Sequence, residues 1–261
     1  MPELPELSVI SQNLKKRILN KKIESVVIGN PYKIQTPEAF KKTLTETSIS
    51  DIIREGKELH FLLANNSSFG VHLMLNGNYT VCGKDEVEDI KSKVIALIFE
   101  DKEAFAVADV QRLCRVTLNP KIAKTPDALS DKFTIDYFLS VAKKSLYRNI
   151  KSVLTDQSVV RGIGNAYADE ILYKADISPE SIMGKIPEEK IKELYEAIPS
   201  VLNWAIENIM KISPDLISGE ERSFLKVHNS SKKITDDGEK IIKKTVDKKS
   251  AYFTERQKRY F

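Results

Sequence analysis

The spacing of apolar residues changes twice along this chain, and that change limits the fold more than any single motif does. Up to about Leu118 the apolar residues fall in short β-rich runs: Ile23–Ile28, Glu58–Leu63, Gly70–Leu75, Lys93–Phe99 and Phe105–Val107. Turn sequences such as Asn65–Ser68 and Asn76-Gly77 separate them. Several short strands at this spacing predict an antiparallel sandwich or barrel. From Phe133 the period becomes helical, with helices expected near Ile135–Ala142, Ser145–Thr155, Asn165–Ala175, Glu188–Ile198 and Leu202–Met210. Near the end strands return, as Lys240–Val246 and Ser250–Thr254 flank Asp247-Lys248-Lys249 like a hairpin. One helix precedes everything, from about Pro5 to Leu19: Leu7, Ile10, Leu14 and Ile18 share a face, and Pro5 suits the first turn. Asn119–Asp131, polar and carrying Pro120 and Pro126, reads as a linker.

Composition narrows the function classes. A chain of 261 residues accommodates two modest domains. No apolar run reaches the roughly 18–20 residues that span a bilayer, so no membrane partner is expected. Glu3 and Glu6 stand where a signal peptide would need basic residues, and a cytoplasmic or, in a bacterium, nucleoid-associated location follows. The two cysteines, Cys82 and Cys114, form no Cys-x-x-Cys pair, and His60, His72 and His228 are scattered. A structural zinc site needs four close ligands, so neither a metal nor any other cofactor is expected. Net charge is only +4, but its distribution is uneven: from Glu221 onward there are 12 Lys/Arg against 6 Asp/Glu, and 29 against 31 elsewhere. A basic C-terminal module on a near-neutral body suits phosphate binding, as it also suits a solvated lysine-rich tail.

Three segments carry candidate chemistry. In Met1-Pro2-Glu3-Leu4-Pro5-Glu6, a small second residue permits removal of Met1, which would leave Pro2 with a free secondary amine. An α-amino group titrates at about 7.7–8.0, and a helix N-terminus close by favours its neutral form further. Attack of such an amine on a sugar C1′ gives an iminium, an electron sink for elimination, and adjacent Glu3 could donate the proton that opens the sugar. The plainer reading of the hexapeptide is a helix with an acidic first turn. The second segment, Arg54-Glu55-Gly56-Lys57-Glu58-Leu59, has a glycine turn that projects Lys57 from a strand start, as a phosphate clamp, a proton carrier or an ordinary surface lysine. In the third, Val159 to Tyr167, Gly162 and Gly164 allow sharp turns and Asn165 suits an N-cap, which readies the next helix for a phosphate; Lys151 and Arg161 lie close in sequence.

In this order and at these spacings, the three segments resemble the formamidopyrimidine-DNA glycosylase / endonuclease VIII family over essentially the whole chain. The resemblance implies an α+β fold: an N-terminal antiparallel β-sandwich with flanking helices, then a helix–two-turns–helix domain ending in a β-hairpin finger, with DNA held between them. The implied domains are 1–120, a linker 121–131, 132–222 and a finger 223–261. It implies a DNA glycosylase that also cleaves the strand by β- and δ-elimination. Pro2 would form the Schiff base, Glu3 act as general acid, Lys57 assist phosphate contact and elimination, and Glu6 lie near the lesion. Asn165 and His72 would contact phosphates, and Lys151 is also expected to bind DNA. Leu75 with Arg112-Leu113 would fill the hole left by the flipped base, although a one-residue slip would put Met74 in place of Leu75.

Three departures from the family pattern stand out. Four finger cysteines are missing, so the resemblance is to the zincless branch, and Tyr252, Phe253 and Tyr260 must supply packing in place of metal. The fingertip arginine is replaced by Lys249, with Lys248 as the alternative, which keeps the charge but not the bidentate fork. The segment Asn208–Phe224 is short where 8-oxoguanine specialists carry a longer loop, which favours oxidised pyrimidines, hydantoins and formamidopyrimidines. Damaged DNA is the expected partner, bound by a monomer. The competing readings are a non-catalytic lesion-binding protein of the same fold and an RNA- or ribosome-associated protein.

Overall fold

The computed structural model describes residues 1–29, 34 and 36–261, which divide into two compact units. The first comprises residues 1–2, 6–122 and 213–220; the second comprises 3–5, 123–212 and 221–261.

The first unit is a β-sandwich. Helix α1 (Leu4–Ile18) is followed by β1 (Ile23–Ile28), α2 (Pro37–Leu44), β2 (Ile49–Glu55), β3 (Glu58–Leu63), β4 (Ser68–His72), β5 (Asn78–Gly83), β6 (Lys93–Phe99), β7 (Glu103–Ala108) and β8 (Arg115–Leu118). The strands form two four-stranded sheets, ordered β1-β6-β7-β5 and β2-β3-β4-β8, with every pairing antiparallel. Phe61 joins the layers: its ring stacks on Phe69 of its own sheet at 4.5 Å and meets Phe105 of the other at 5.2 Å. The α1 face of Leu7, Ile10, Leu14 and Ile18 lies in the same core. Strand β6 is apolar on both faces because Ala96 and Ile98 are covered by Val87 of a 3-10 turn over Lys84–Asp89.

Local differences from the sequence reading have physical causes. Strand β4 stops at His72, not Leu75, where Met74 turns left-handed (φ 54°). Helix α2 stands in a stretch read as strands: Pro37 suits its first turn, and Phe40 and Leu44 bury one face at a spacing of four.

The second unit holds α3 (Ile135–Lys144), α4 (Ile150–Leu154), α5 (Asn165–Lys174), α6 (Glu188–Ile212), β9 (Ile242–Val246) and β10 (Lys249–Phe253). The helix expected over Ser145–Thr155 shortens to α4 because Asn149 caps it, accepting from the Lys151 and Ser152 amides at 2.9 and 3.3 Å. The two helices expected around Pro199 are one. Ile191, Leu194, Ile198, Val201, Leu202, Ala205 and Ile209 keep a continuous buried face across the proline, and that packing outweighs one lost backbone hydrogen bond. The hairpin turn is Asp247-Lys248, both left-handed at φ 47° and 65°, and Lys249 already belongs to β10.

Candidate active site

In the second unit the chain start meets the glycine turn that opens α5. Glu3, almost fully buried, accepts hydrogen bonds from the Gly164 amide at 2.6 Å and the Ala166 amide at 3.1 Å. The carboxylate therefore takes the helix N-terminus that the sequence reading left for a phosphate. Gly164 is the N-cap and Asn165 the first helical residue, a correction to Asn165 as cap: an acid distant in sequence already satisfies these amides. The glycines are fixed by close approach. A Cβ on Gly164 would stand 2.2 Å from the Glu3 carboxyl carbon, and one on Gly162 would stand 2.6 Å from Leu4 Cδ1, where φ is +102°. Arg222 Nη2 lies 3.5 Å from Glu3 Oε1, a neighbour the sequence reading missed. Half-exposed Asn165 presents an Oδ1 that is buried and has no hydrogen-bond partner among the described residues.

In the first unit Pro2 is buried and its nitrogen is part of the Met1–Pro2 peptide bond; the Met1 amine pairs with Glu220. Glu6 is fully buried on α1. Lys57 occupies the second position of the β2–β3 turn, after Gly56 at φ 63°. Arg54 fixes that turn by bonding Ser8 Oγ at 3.0 Å and the Gly56 carbonyl at 3.1 Å, a role its sequence position does not disclose. His72 is part-buried within electrostatic reach of Lys57, Glu58 and Arg115. Burial first, and then the Lys57 and Arg115 cations, hold its pKa below the usual histidine value. Its Nδ1 accepts the Met74 amide at 3.0 Å, so the neutral ring carries its proton on Nε2.

Two turns of the same unit present apolar side chains to solvent. Leu75, 57% exposed, stands in the β4–β5 turn, whereas Met74 is half-buried. Leu113 is 39% exposed and Arg112 is exposed in the β7–β8 turn, together with Val110 at 74%, to which the sequence reading gave no role. Buried Asp109 shapes this turn. Its carboxylate accepts from the Gln111, Leu113 and Cys114 amides at 2.9, 2.5 and 2.6 Å, and its carbonyl accepts from Arg112.

Two expected DNA-facing lysines are engaged within the second unit. Lys151 is a correction: its ammonium is buried, 2.6 Å from Asp169 Oδ1, and also donates to the Ser250 carbonyl of β10. Burial pulls the Lys151 pKa down and Asp169 opposes that pull. Lys249 is half-buried and donates to Thr155 Oγ1, while Lys248 at the turn is exposed. Asp169 also accepts from His228 Nδ1 at 2.7 Å and the Tyr252 amide at 3.0 Å. Its neighbour Glu170 accepts the Lys226, Val227 and His228 amides at 2.8–3.0 Å. Two adjacent carboxylates on α5 thus hold the Lys226–His228 segment and strand β10 of the finger, beside the buried Tyr252, Phe253 and Tyr260. No cluster of three or more His, Cys, Asp or Glu arranged for a metal ion occurs among the described residues.

Comparison with known proteins matches this arrangement. Residues 1–116 match the formamidopyrimidine-DNA glycosylase N-terminal domain, and residues 125–214 match the H2TH domain of the same family. The formamidopyrimidine-DNA glycosylase of Pelotomaculum thermopropionicum is 31% identical over 97% of both chains; that of Lactobacillus helveticus is 34% identical over 79% of this chain and 78% of its own. Among solved structures, the Lactococcus lactis Fpg bound to abasic-site DNA superposes with a TM-score of 0.86 at 27% identity, covering 98% of this chain and 100% of that one. A complex of the LlFpg protein with a THF-DNA and an inhibitor gives 0.88 at 28% identity, over 99% and 100%. No helix among the described residues is long and apolar enough to cross a membrane. The chain therefore belongs to the formamidopyrimidine-DNA glycosylase family and is a DNA glycosylase of base-excision repair with lyase activity.

Proposed function

We propose that the chain excises oxidised bases from DNA through a Schiff base on Pro2 and then cleaves the strand. Removal of Met1 frees the Pro2 nitrogen. That nitrogen bonds to C1′ of the damaged nucleotide, the C1′–base bond breaks, and the base leaves with its electron pair and takes up the proton released from the Pro2 nitrogen. Glu3, which enters this step in its protonated form, gives its carboxyl proton to O4′ as the C1′–O4′ bond opens, leaving an iminium at C1′ and a Glu3 carboxylate. Loss of a C2′ proton expels the 3′ oxygen; loss of a C4′ proton then expels the 5′ oxygen. Lys57 neutralises phosphate and assists elimination, and Glu6 lines the lesion pocket. His72, through its Nε2 proton, and Asn165, through its side chain, contact flanking phosphates. Leu75, Arg112 and Leu113 fill the space of the extruded base.

The observation that carries this reading is the fixed Glu3 carboxylate, one residue from the nucleophile and held on two backbone amides of a helix N-terminus. It is the acid nearest to Pro2 in sequence, and its position is set by the backbone of the H2TH domain. The short segment between α6 and Phe224 favours oxidised pyrimidines, hydantoins and formamidopyrimidines over 8-oxoguanine. Related solved complexes span these classes: Lactococcus lactis Fpg with DNA containing an oxidised pyrimidine, LlFpg with N7-benzyl-Fapy-dG, and MutM with carbocyclic 8-oxo-G, so the lesion preference rests on the short segment alone. At the fingertip, exposed Lys248 is the candidate for phosphate contact, with Lys249 supporting it from Thr155. The enzyme acts as a monomer on damaged DNA in the cytoplasm or nucleoid.

Borohydride reduction in the presence of abasic or oxidised-base DNA is expected to trap a covalent complex that maps to Pro2. Trapping by protein whose N-terminus is acetylated would refute the assignment. Tight lesion binding with no strand cleavage under any condition would instead support the non-catalytic reading.

A further inference from the structure

We infer that Asp109 is a positioning residue for base extrusion, its buried carboxylate holding the β7–β8 turn in the shape that presents Val110, Arg112 and Leu113 before DNA arrives. The inference rests on the wedge reading of this turn and deepens it.

The carboxylate is fully buried, yet it lies at the start of a turn whose side chains point outward. Burying a carboxylate is costly unless its oxygens are satisfied. Here they are satisfied by the backbone of the turn itself: Oδ1 takes the Gln111 amide, and Oδ2 takes both the Leu113 and Cys114 amides. The Asp109 carbonyl takes the Arg112 amide at 3.1 Å and so closes the turn around left-handed Arg112, φ 56°. The Asp109 amide in turn donates to the Ser92 carbonyl at 3.0 Å, which ties the turn to the sandwich. Four consecutive amides, 111 to 114, are therefore fixed by one residue.

What this order achieves is not burial. Val110 and Leu113 stay 74% and 39% exposed, so the network holds apolar side chains out in water, where they contribute nothing to the core. Cys114, next in the chain, is buried and anchors the far end. A wedge that enters a base stack gains from being rigid, because a mobile turn must be ordered at the moment of extrusion. An aspartate is required rather than its amide. All three incoming groups are donors, and an asparagine turns one acceptor into a donor whichever way it flips.

The consequence is selective. A turn loosened by Asp109→Asn slows the step that takes a base out of a paired stack. It leaves untouched the reaction at a sugar that is already accessible. The test compares excision of an oxidised pyrimidine from a fully paired duplex with borohydride trapping of a single-stranded abasic oligonucleotide. For Asp109→Asn the duplex rate is expected to fall at least tenfold, while single-strand trapping stays within about twofold of the parent. Equal losses on both substrates, or no loss on the duplex, would overturn the inference. A parent enzyme that traps no abasic DNA would overturn the Schiff-base reading instead. Amide hydrogen exchange on the unaltered, DNA-free enzyme gives an answer independent of any variant. The Gln111, Leu113 and Cys114 amides are expected to be protected, and exchange at the rate of an unstructured chain would refute the proposal.

Discussion

Asp169→Asn tests how a finger without metal ligands stays attached to its domain. The native carboxylate is fully buried and takes three donors: the Lys151 ammonium at 2.6 Å, His228 Nδ1 at 2.7 Å and the Tyr252 amide at 3.0 Å. The variant preserves volume but removes the charge, leaving the Lys151 ammonium, 1% exposed, with only the neutral amide and the Ser250 carbonyl for partners. Breaking a buried ion pair from one side costs about 3–5 kcal/mol, because the remaining charge is unpaired. For a domain of this size about 2–4 °C of melting temperature accompanies each kcal/mol, so a fall of about 6–20 °C is expected in the second unit's transition. Lys151→Met should cost less, about 1–3 kcal/mol, since Asp169 keeps His228 and the Tyr252 amide and loses one charged bond. Thermal denaturation followed by circular dichroism reads both variants. A melting temperature within about 2 °C of the parent for Asp169→Asn, or a larger loss for Lys151→Met, would refute the reasoning. The expected loss should also persist at high salt, because a buried pair is little screened.

Other consequences are equally direct. Gly164→Ala should displace the Glu3 carboxylate, which its Cβ would meet at 2.2–2.5 Å, and lower excision by on the order of a hundredfold; steady-state kinetics with a modest change in melting temperature would bear this out. Leu75→Ala removes a side chain that is 57% exposed, so stability should change by less than about 0.5 kcal/mol while excision from paired duplex slows. His72, with its pKa held down, predicts an acid-side stability loss. As pH falls below the unfolded value of about 6.5, the unfolded chain gains a proton the native ring refuses, so stability drops until pH passes the depressed native value. Melting curves against pH should show that slope in the parent and a flatter one in His72→Gln. Chelators should leave the melting temperature of the parent unchanged, since carboxylate contacts hold the finger to α5.

Much of the architecture is legible because it depends on local period. The α1 stripe of Leu7, Ile10, Leu14 and Ile18, the strands at Ile23–Ile28, Glu58–Leu63 and Lys93–Phe99, and the helix beginning at Asn165 are written in nearest-neighbour spacing. Where packing overrides local preference the sequence misleads: Pro199 marks a break that the continuous buried face of α6 prevents, and Lys151 reads as a phosphate ligand only until Asp169, eighteen residues on, takes its charge.

By itself the sequence determined the broad succession of an opening helix, a strand-rich part, a helical part and a closing hairpin, the missing finger cysteines and the candidate nucleophile at Pro2, all of which follow from residue identity and short-range spacing. Tertiary structure alone decided which partners the charged groups have. Glu3 reaches Gly164 across 161 residues, and Asp169 gathers Lys151, His228 and Tyr252 from three separate stretches. The physical reason is that a buried charge is tolerated only where donors converge on it, and convergence of distant chain segments is a property of the fold.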